Sequence, residues 1–269
     1  MLTADVVGDV GGPPVLMLHG GGQTRHAWGG TLTRLADEGF RAISLDLRGH
    51  GESDWASDGD YTTDAYVRDL RAVIEQVDPV PALVGASLGG IACLAAEGES
   101  KGLLSRALVL VDITPRIEPK GAERIGSFMT GNPEGFASLE EAADAIAEYN
   151  PHRRRPRSLA GLKKNLRLKE NGRWHWHWDP AFMGALGRGS DMGQREDRLN
   201  EAARAVRVPT LLVRGGLSDI VSEQGVREFL KVLPGAEYVD VPNAGHMVAG
   251  DQNDPFTDNV VSFLSRVLV

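Results

Sequence analysis

Ala82-Leu83-Val84-Gly85-Ala86-Ser87-Leu88-Gly89-Gly90-Ile91-Ala92-Cys93-Leu94 is the stretch on which the reading of this chain turns. A short apolar run ends in Gly-x-Ser-x-Gly and passes into residues with helical apolar spacing. That order describes a strand, a sharp turn and a buried helix, with the serine raised on the turn and the glycines making room for it. The pattern alone is weak, because Gly98-Glu99-Ser100-Lys101-Gly102 satisfies it too. The second copy comes after the helix instead of before it. Gly98 there reads as a helix-ending glycine, so Ser100 is expected in a surface loop and Ser87 is the candidate nucleophile.

Outward from this stretch, short apolar runs recur between segments of helical spacing. Strands are expected at Val15–Leu18, Ala42–Leu45, Ala82–Val84, Ala107–Val111, Thr210–Val213 and Tyr238–Val241, with a helix over Thr62–Val77. Such alternation is the signature of βαβ units and a mostly parallel sheet with helices on both faces. From Pro115 to Arg204 the rhythm is replaced by helix-like pieces, and it resumes at Val208-Pro209-Thr210. Residues 115–204 are therefore expected to form a helical cap inserted in a core made of residues 1–114 and 205–269.

A serine hydroxyl needs a base, and the base needs orientation, usually by a carboxylate. His246, on Asn243-Ala244-Gly245-His246-Met247 after the last strand, is the candidate base. Asp219, reached from Thr210–Val213 through Arg214-Gly215-Gly216-Leu217-Ser218, is the candidate acid. Asp112, at the end of another strand, is the rival; it is read as holding the start of the insert or pairing with Arg116. Acyl transfer further requires N–H donors for a developing oxyanion. The backbone N–H groups of Leu88 and of Gly21, in His19-Gly20-Gly21-Gly22, are expected to supply them, with Gly22 as the alternative to Gly21 and His19 tying down the loop.

These blocks, together with Asp46-Leu47-Arg48-Gly49-His50-Gly51-Glu52-Ser53 after the second strand, resemble the α/β-hydrolase superfamily over nearly the whole chain. The resemblance implies a carboxylesterase-like serine hydrolase acting on small to medium esters. Ser87 separates the chain from epoxide hydrolases and haloalkane dehalogenases, which carry Asp there. It also implies a structural role for His50, and it places Asp219 and His246 where the family carries its acid and base. Lactonases, perhydrolases and C–C bond hydrolases share this machinery, and a small-molecule receptor with vestigial activity is the rival of another class. Only 18 residues precede His19, so the first strand of the family's opening hairpin is expected to be missing.

Composition narrows the partners. Net charge is −8, with 16 basic against 13 acidic residues in 115–204 and 13 against 24 elsewhere, which gives no dominant basic face for nucleic acid. Arg153, Arg154, Arg155 and Arg157 read as a solvated patch or as an attraction for anionic substrates. No apolar run is long enough to span a membrane and the start lacks a signal-like segment, so a cytoplasmic protein, monomer or homodimer, is expected. Neither phosphate-loop nor dinucleotide glycine patterns occur, so no cofactor is expected. The lone Cys93 reads as core. Trp174, Trp176 and Trp178 alternate with His175 and His177, putting the indoles on one side of an extended segment. They either anchor the insert or line a pocket; Phe128, Trp176 and Val221 are the candidate substrate contacts, and no metal is expected from the two histidines.

Overall fold

The computed structural model describes residues 1–151, 158–188, 192–251 and 253–268. The arginines 153–155 and 157 lie outside the described residues. The central sheet has the order β1 (Ala4–Val7), β3 (Arg41–Leu45), β2 (Pro14–Leu18), β4 (Ala82–Ala86), β5 (Leu108–Val111), β8 (Thr210–Gly215) and β9 (Glu237–Val241). All neighbours pair in parallel except β1, which runs antiparallel to β3. β1 is thus the antiparallel edge strand of the sheet.

The apolar runs of β2, β4, β5 and β8 are near-continuous because both faces of the sheet are covered. Alternate residues enter different cores. Leu16, Leu18, Leu83, Leu108 and Leu212 pack with Leu70 of α2 (Thr63–Ile74), Leu94 of α3 (Leu88–Gly98) and Phe229 of α8 (Glu223–Val232). Val15, Met17, Val84, Val109 and Val213 pack with Leu35 of α1 (Thr31–Asp37) and with Val260 and Phe263 of α10 (Asn253–Leu268). Cys93 is fully buried in the first core, and burial pushes its thiol far up, so it is inert packing.

Between β5 and β8 lie α4 (Pro119–Thr130), α5 (Leu139–Tyr149), a two-stranded antiparallel ribbon of β6 (Leu166–Leu168) and β7 (Trp174–Trp176), α6 (Pro180–Arg188) and α7 (Met192–Ala205). The expected helical segment is not wholly helical, because the period-two tryptophan stretch pairs as a ribbon. Part of it packs on the core. Helix α7 buries Leu199, Ala202 and Ala203, and a Cβ on Gly98 of α3 would lie 2.2 Å from the Ala202 carbonyl oxygen, so α7 lies along α3. Among the described residues no helix is long and apolar enough to cross a membrane.

Parallel pairing brings the carboxyl ends of β2, β3, β4, β5, β8 and β9 to one edge, the position from which loops of such sheets build sites. His19, Asp46, Ser87, Asp112, the 216–219 loop and the 242–247 loop all emerge there.

Candidate active site

Ser87 stands between β4 and α3 with φ 46° and ψ −111°, outside the regions open to most side chains. The turn is held from several sides. Ser87 N–H donates to the Val111 carbonyl (3.1 Å), Gly89 N–H to the His19 carbonyl (3.2 Å) and Ile91 N–H to the Ser87 carbonyl (2.8 Å). Glycine at 85 and 89 is a steric requirement, because a Cβ on Gly85 would lie 2.6 Å from the Gly89 oxygen and one on Gly89 2.3 Å from the Leu18 oxygen. Ser100 lies in an exposed turn with its hydroxyl on the Gly102 carbonyl (3.0 Å), as expected of the second motif copy.

Among the described residues the non-glycine positions with positive φ are Ser87, Asp112 (49°) and Asn243 (61°). They fall on the loops that carry the candidate serine, a carboxylate and the candidate histidine. Each such residue costs on the order of 1–3 kcal/mol, strain that surrounding contacts must hold and that clusters at functional sites.

The carboxylate that meets His246 is Asp112, not Asp219. His246 Nδ1 donates to Asp112 Oδ2 at 2.6 Å. The Asp112 side chain is fully buried, and its remaining acceptor capacity is also used: Gly215 N–H donates to Oδ1 (2.9 Å) and Ser218 Oγ to Oδ2 (2.6 Å). Asp219 instead pairs with Arg124 Nε of α4 at 2.8 Å, both side chains well exposed, and among the described residues no hydrogen bond joins it to His246. The reason lies in strand order. β5 sits between β4 and β8, so its end is next to the serine, whereas the loop after β8 turns Ser218 inward and sends the following residue out towards α4. Arg116, the expected partner of Asp112, pairs with Glu228.

No hydrogen bond between Ser87 Oγ and His246 Nε2 occurs among the described residues. The backbone link is closer: Ser87 bonds Val111, the residue before Asp112, and Asp112 N–H donates to the Val213 carbonyl at 2.7 Å. The candidate nucleophile and the buried carboxylate are thereby fixed to one ladder.

The glycine loop after β2 separates its two candidate donors. Gly22 N–H is taken by His50 Nε2 (3.1 Å), while among the described residues no hydrogen bond engages the N–H of Gly21 or of Leu88. A Cβ on Gly21 would lie 3.9 Å from Leu88 Cδ2, so the two residues flank one space. His19 Nδ1–H holds the Gly20 carbonyl (2.8 Å), as does Gln23 N–H (3.1 Å). In a trans peptide the Gly21 N–H then points the opposite way, leaving it free to donate.

Three buried histidines support this loop. The His19 ring lies 5.2 Å from that of His50, which lies 5.8 Å from that of His177. His19 Nε2 accepts from Leu47 N–H (3.0 Å), and His50 Nδ1–H donates to the Arg48 carbonyl (2.9 Å). His177, just past β7, accepts from Gly51 N–H at Nδ1 (2.6 Å) and faces the Gly22 carbonyl with Nε2 at 3.4 Å. Burial lowers His19 to about 4, His50 to about 3 and His177 to about 2, the neighbouring imidazoles adding to the effect for the last two. All three are neutral, which lets each ring donate from one nitrogen and accept at the other. This role of His177 was not among the expectations from sequence, where the residue figured only as half of a histidine pair not expected to bind metal. Its signal was its phase, opposite to the tryptophans.

Of the expected substrate contacts, Phe128 is half-buried, stacked on Tyr149 (4.2 Å) and set against Trp176 (5.7 Å), which stacks in turn on Trp178 (4.8 Å). Trp178 and Met129 cover Gly22, and Phe182 covers Gly21, so these aromatic rings begin at the glycine loop. Val221 is fully buried, with its N–H on Ser218 (3.1 Å) and its carbonyl accepting from Arg214 (2.7 Å), which makes it scaffold for its loop.

A family model described as the α/β-hydrolase fold matches residues 13–251. Among curated relatives, esterase Rv0045c of Mycobacterium tuberculosis is 32% identical over 248 residues, covering 89% of this chain and 78% of its own. The 3-hydroxybutyrate-oligomer hydrolase of Cupriavidus necator is 28% identical over 255 residues, covering 89% and 84%. Among solved structures, an E-2-(acetamidomethylene)succinate hydrolase superposes with a TM-score of 0.84 at 26% identity, covering 98% of this chain and 95% of the other.

Proposed function

The chain belongs to the α/β-hydrolase fold family, and on that premise we propose that it cleaves carboxylic esters of small to medium acids through an acyl-enzyme on Ser87. The observation that carries the reading is the buried Asp112 carboxylate on His246 Nδ1, one residue from the Val111 carbonyl that holds the strained Ser87 turn. The similarity to an esterase and to an oligomer hydrolase supports the bond type, and the machinery itself does not set the acyl or alcohol group.

With Nδ1–H committed to Asp112, the lone pair of His246 is on Nε2, the tautomer a general base requires. Ser87 Oγ attacks the ester carbonyl and its proton passes to Nε2; contacts of this kind often tighten only with substrate in place. Charge moves to the carbonyl oxygen, where the N–H groups of Gly21 and Leu88 receive it. The imidazolium, stabilised by Asp112, returns the proton to the departing alkoxide. A water then attacks the acyl-enzyme, again giving its proton to His246, and release of the acid restores Ser87. No cofactor enters these steps.

The test is turnover of p-nitrophenyl acetate and butyrate with labelling by a fluorophosphonate. The wild-type chain is expected to hydrolyse the esters and to take one label on Ser87, and Ser87→Ala to do neither. Tight ligand binding without turnover on a wide ester panel would turn the reading to a receptor.

A further inference from the structure

We propose that Ser218 is a positioning residue of the catalytic dyad: its hydroxyl shares Asp112 Oδ2 with His246 and sets how strongly that oxygen holds the imidazole. The inference rests on the function proposed above.

The geometry is specific. Ser218 Oγ and His246 Nδ1 each lie 2.6 Å from Oδ2, the short range of hydrogen bonds to a charged acceptor. With its proton given to Oδ2, the hydroxyl accepts from Ile220 N–H (3.2 Å) and Val221 N–H (3.1 Å). Those two bonds leave the proton one direction, so the hydroxyl is a fixed donor and not a free rotor. Oδ1 is held separately by Gly215 N–H (2.9 Å), which fixes the plane of the carboxylate. The other charged groups nearby are engaged elsewhere: Asp219 on Arg124, and Asp251 on Gly245 N–H. A second donor on Oδ2 draws off part of its negative charge. The carboxylate therefore holds the imidazolium firmly enough to stabilise it, yet less firmly than a bare oxygen would, so the proton returns readily to the leaving group.

Ser218→Ala, Ser218→Thr and Ser218→Cys are compared with wild type by the pH profile of kcat/KM, by kcat and KM separately, by fluorophosphonate labelling rate and by Tm. Ala should lower kcat roughly tenfold with KM unchanged, the equivalent of one charge-assisted hydrogen bond lost from the dyad. It should also move the acid limb of the profile to higher pH, because the bare oxygen keeps the imidazole protonated longer. Thr should restore both. Cys, which fills the turn but donates weakly, should behave as Ala does, and it carries the test if Ala does not fold. In an Asp112→Asn background Ser218→Ala should add nothing. A lower Tm with unchanged kcat, labelling rate and acid limb overturns the proposal and leaves Ser218 as a turn residue. Activity surviving in Ser87→Ala would instead overturn the function it rests on, so the two failures are distinct.

Discussion

Replacing Asp112 with Asn changes almost no volume, and its consequences follow from the partners of a single side chain. The amide oxygen, placed at Oδ1, still accepts from Gly215 N–H. The amide nitrogen then stands where Oδ2 stood, facing Ser218 Oγ and His246 Nδ1, which both donate to that position now. Donor meets donor, and His246 satisfies the amide only by moving its proton to Nε2. In that tautomer it cannot take the proton of Ser87. A wrong-tautomer histidine of this kind loses roughly 10³–10⁴ in kcat, or about 4–5.5 kcal/mol of transition-state stabilisation. Asp219→Asn breaks only an exposed pair with Arg124, worth about 0–1 kcal/mol of stability, and should leave kcat/KM within about threefold. Steady-state hydrolysis of p-nitrophenyl butyrate by the two variants, with Tm to show that both are folded, measures the contrast. Equal losses, or a larger loss in Asp219→Asn, would refute the assignment of the acid to Asp112.

The two arms of His177 can be separated, because an Asn carboxamide reaches the Nδ1 position and a Gln carboxamide the Nε2 position. His177→Asn keeps a partner for Gly51 N–H and should hold Tm near wild type while lowering kcat; His177→Gln keeps a donor for the Gly22 carbonyl and should do the reverse, and a uniform fall in both quantities for both variants would deny the ring its part in the glycine loop. The depressed histidines also give stability a pH dependence. Unfolded histidine titrates near 6.5, so below that pH the unfolded chain binds protons that buried His19, His50 and His177 refuse, and stability falls as pH falls from about 6.5 towards about 4, by up to about 1.4 kcal/mol per pH unit for each ring. The drop in Tm between pH 7.5 and pH 5 should accordingly be smaller in His177→Gln than in wild type, and an unchanged drop would contradict the linkage.

What could be read from the chain, and what could not, follows from how far each feature depends on strand order. Apolar run length and Gly-rich ends are local, so β2, β3, β4, β5, β8 and β9 stand within a residue or two of their expected positions, and Ser87 was separated from Ser100 by its immediate neighbours. The choice of acid is not local. Asp112 and Asp219 both follow strands and both lie at the carboxyl edge; only the order β4-β5-β8 shows which one is next to the serine. Within the 216–219 loop the question narrows to one residue of phase, and it is Ser218 that points in. The packing of α7 was hidden for a similar reason. Helix α7 has the polar composition of its neighbours in sequence, and only the close approach of Ala202 to Gly98 ties it to the core. Val221 was expected at a pocket because it neighbours Asp219, and it is buried because its loop folds over Ser218 and Arg214.

The central claim is that Ser87 is acylated, and covalent labelling tests it without knowledge of the natural substrate. Treating the wild-type chain, Ser87→Ala and Ser100→Ala with a fluorophosphonate and reading the adduct by peptide mass spectrometry should give one phosphonylated residue, Ser87, in wild type and in Ser100→Ala, and none in Ser87→Ala. An adduct on another residue, or ester turnover by Ser87→Ala at the wild-type rate, would contradict it.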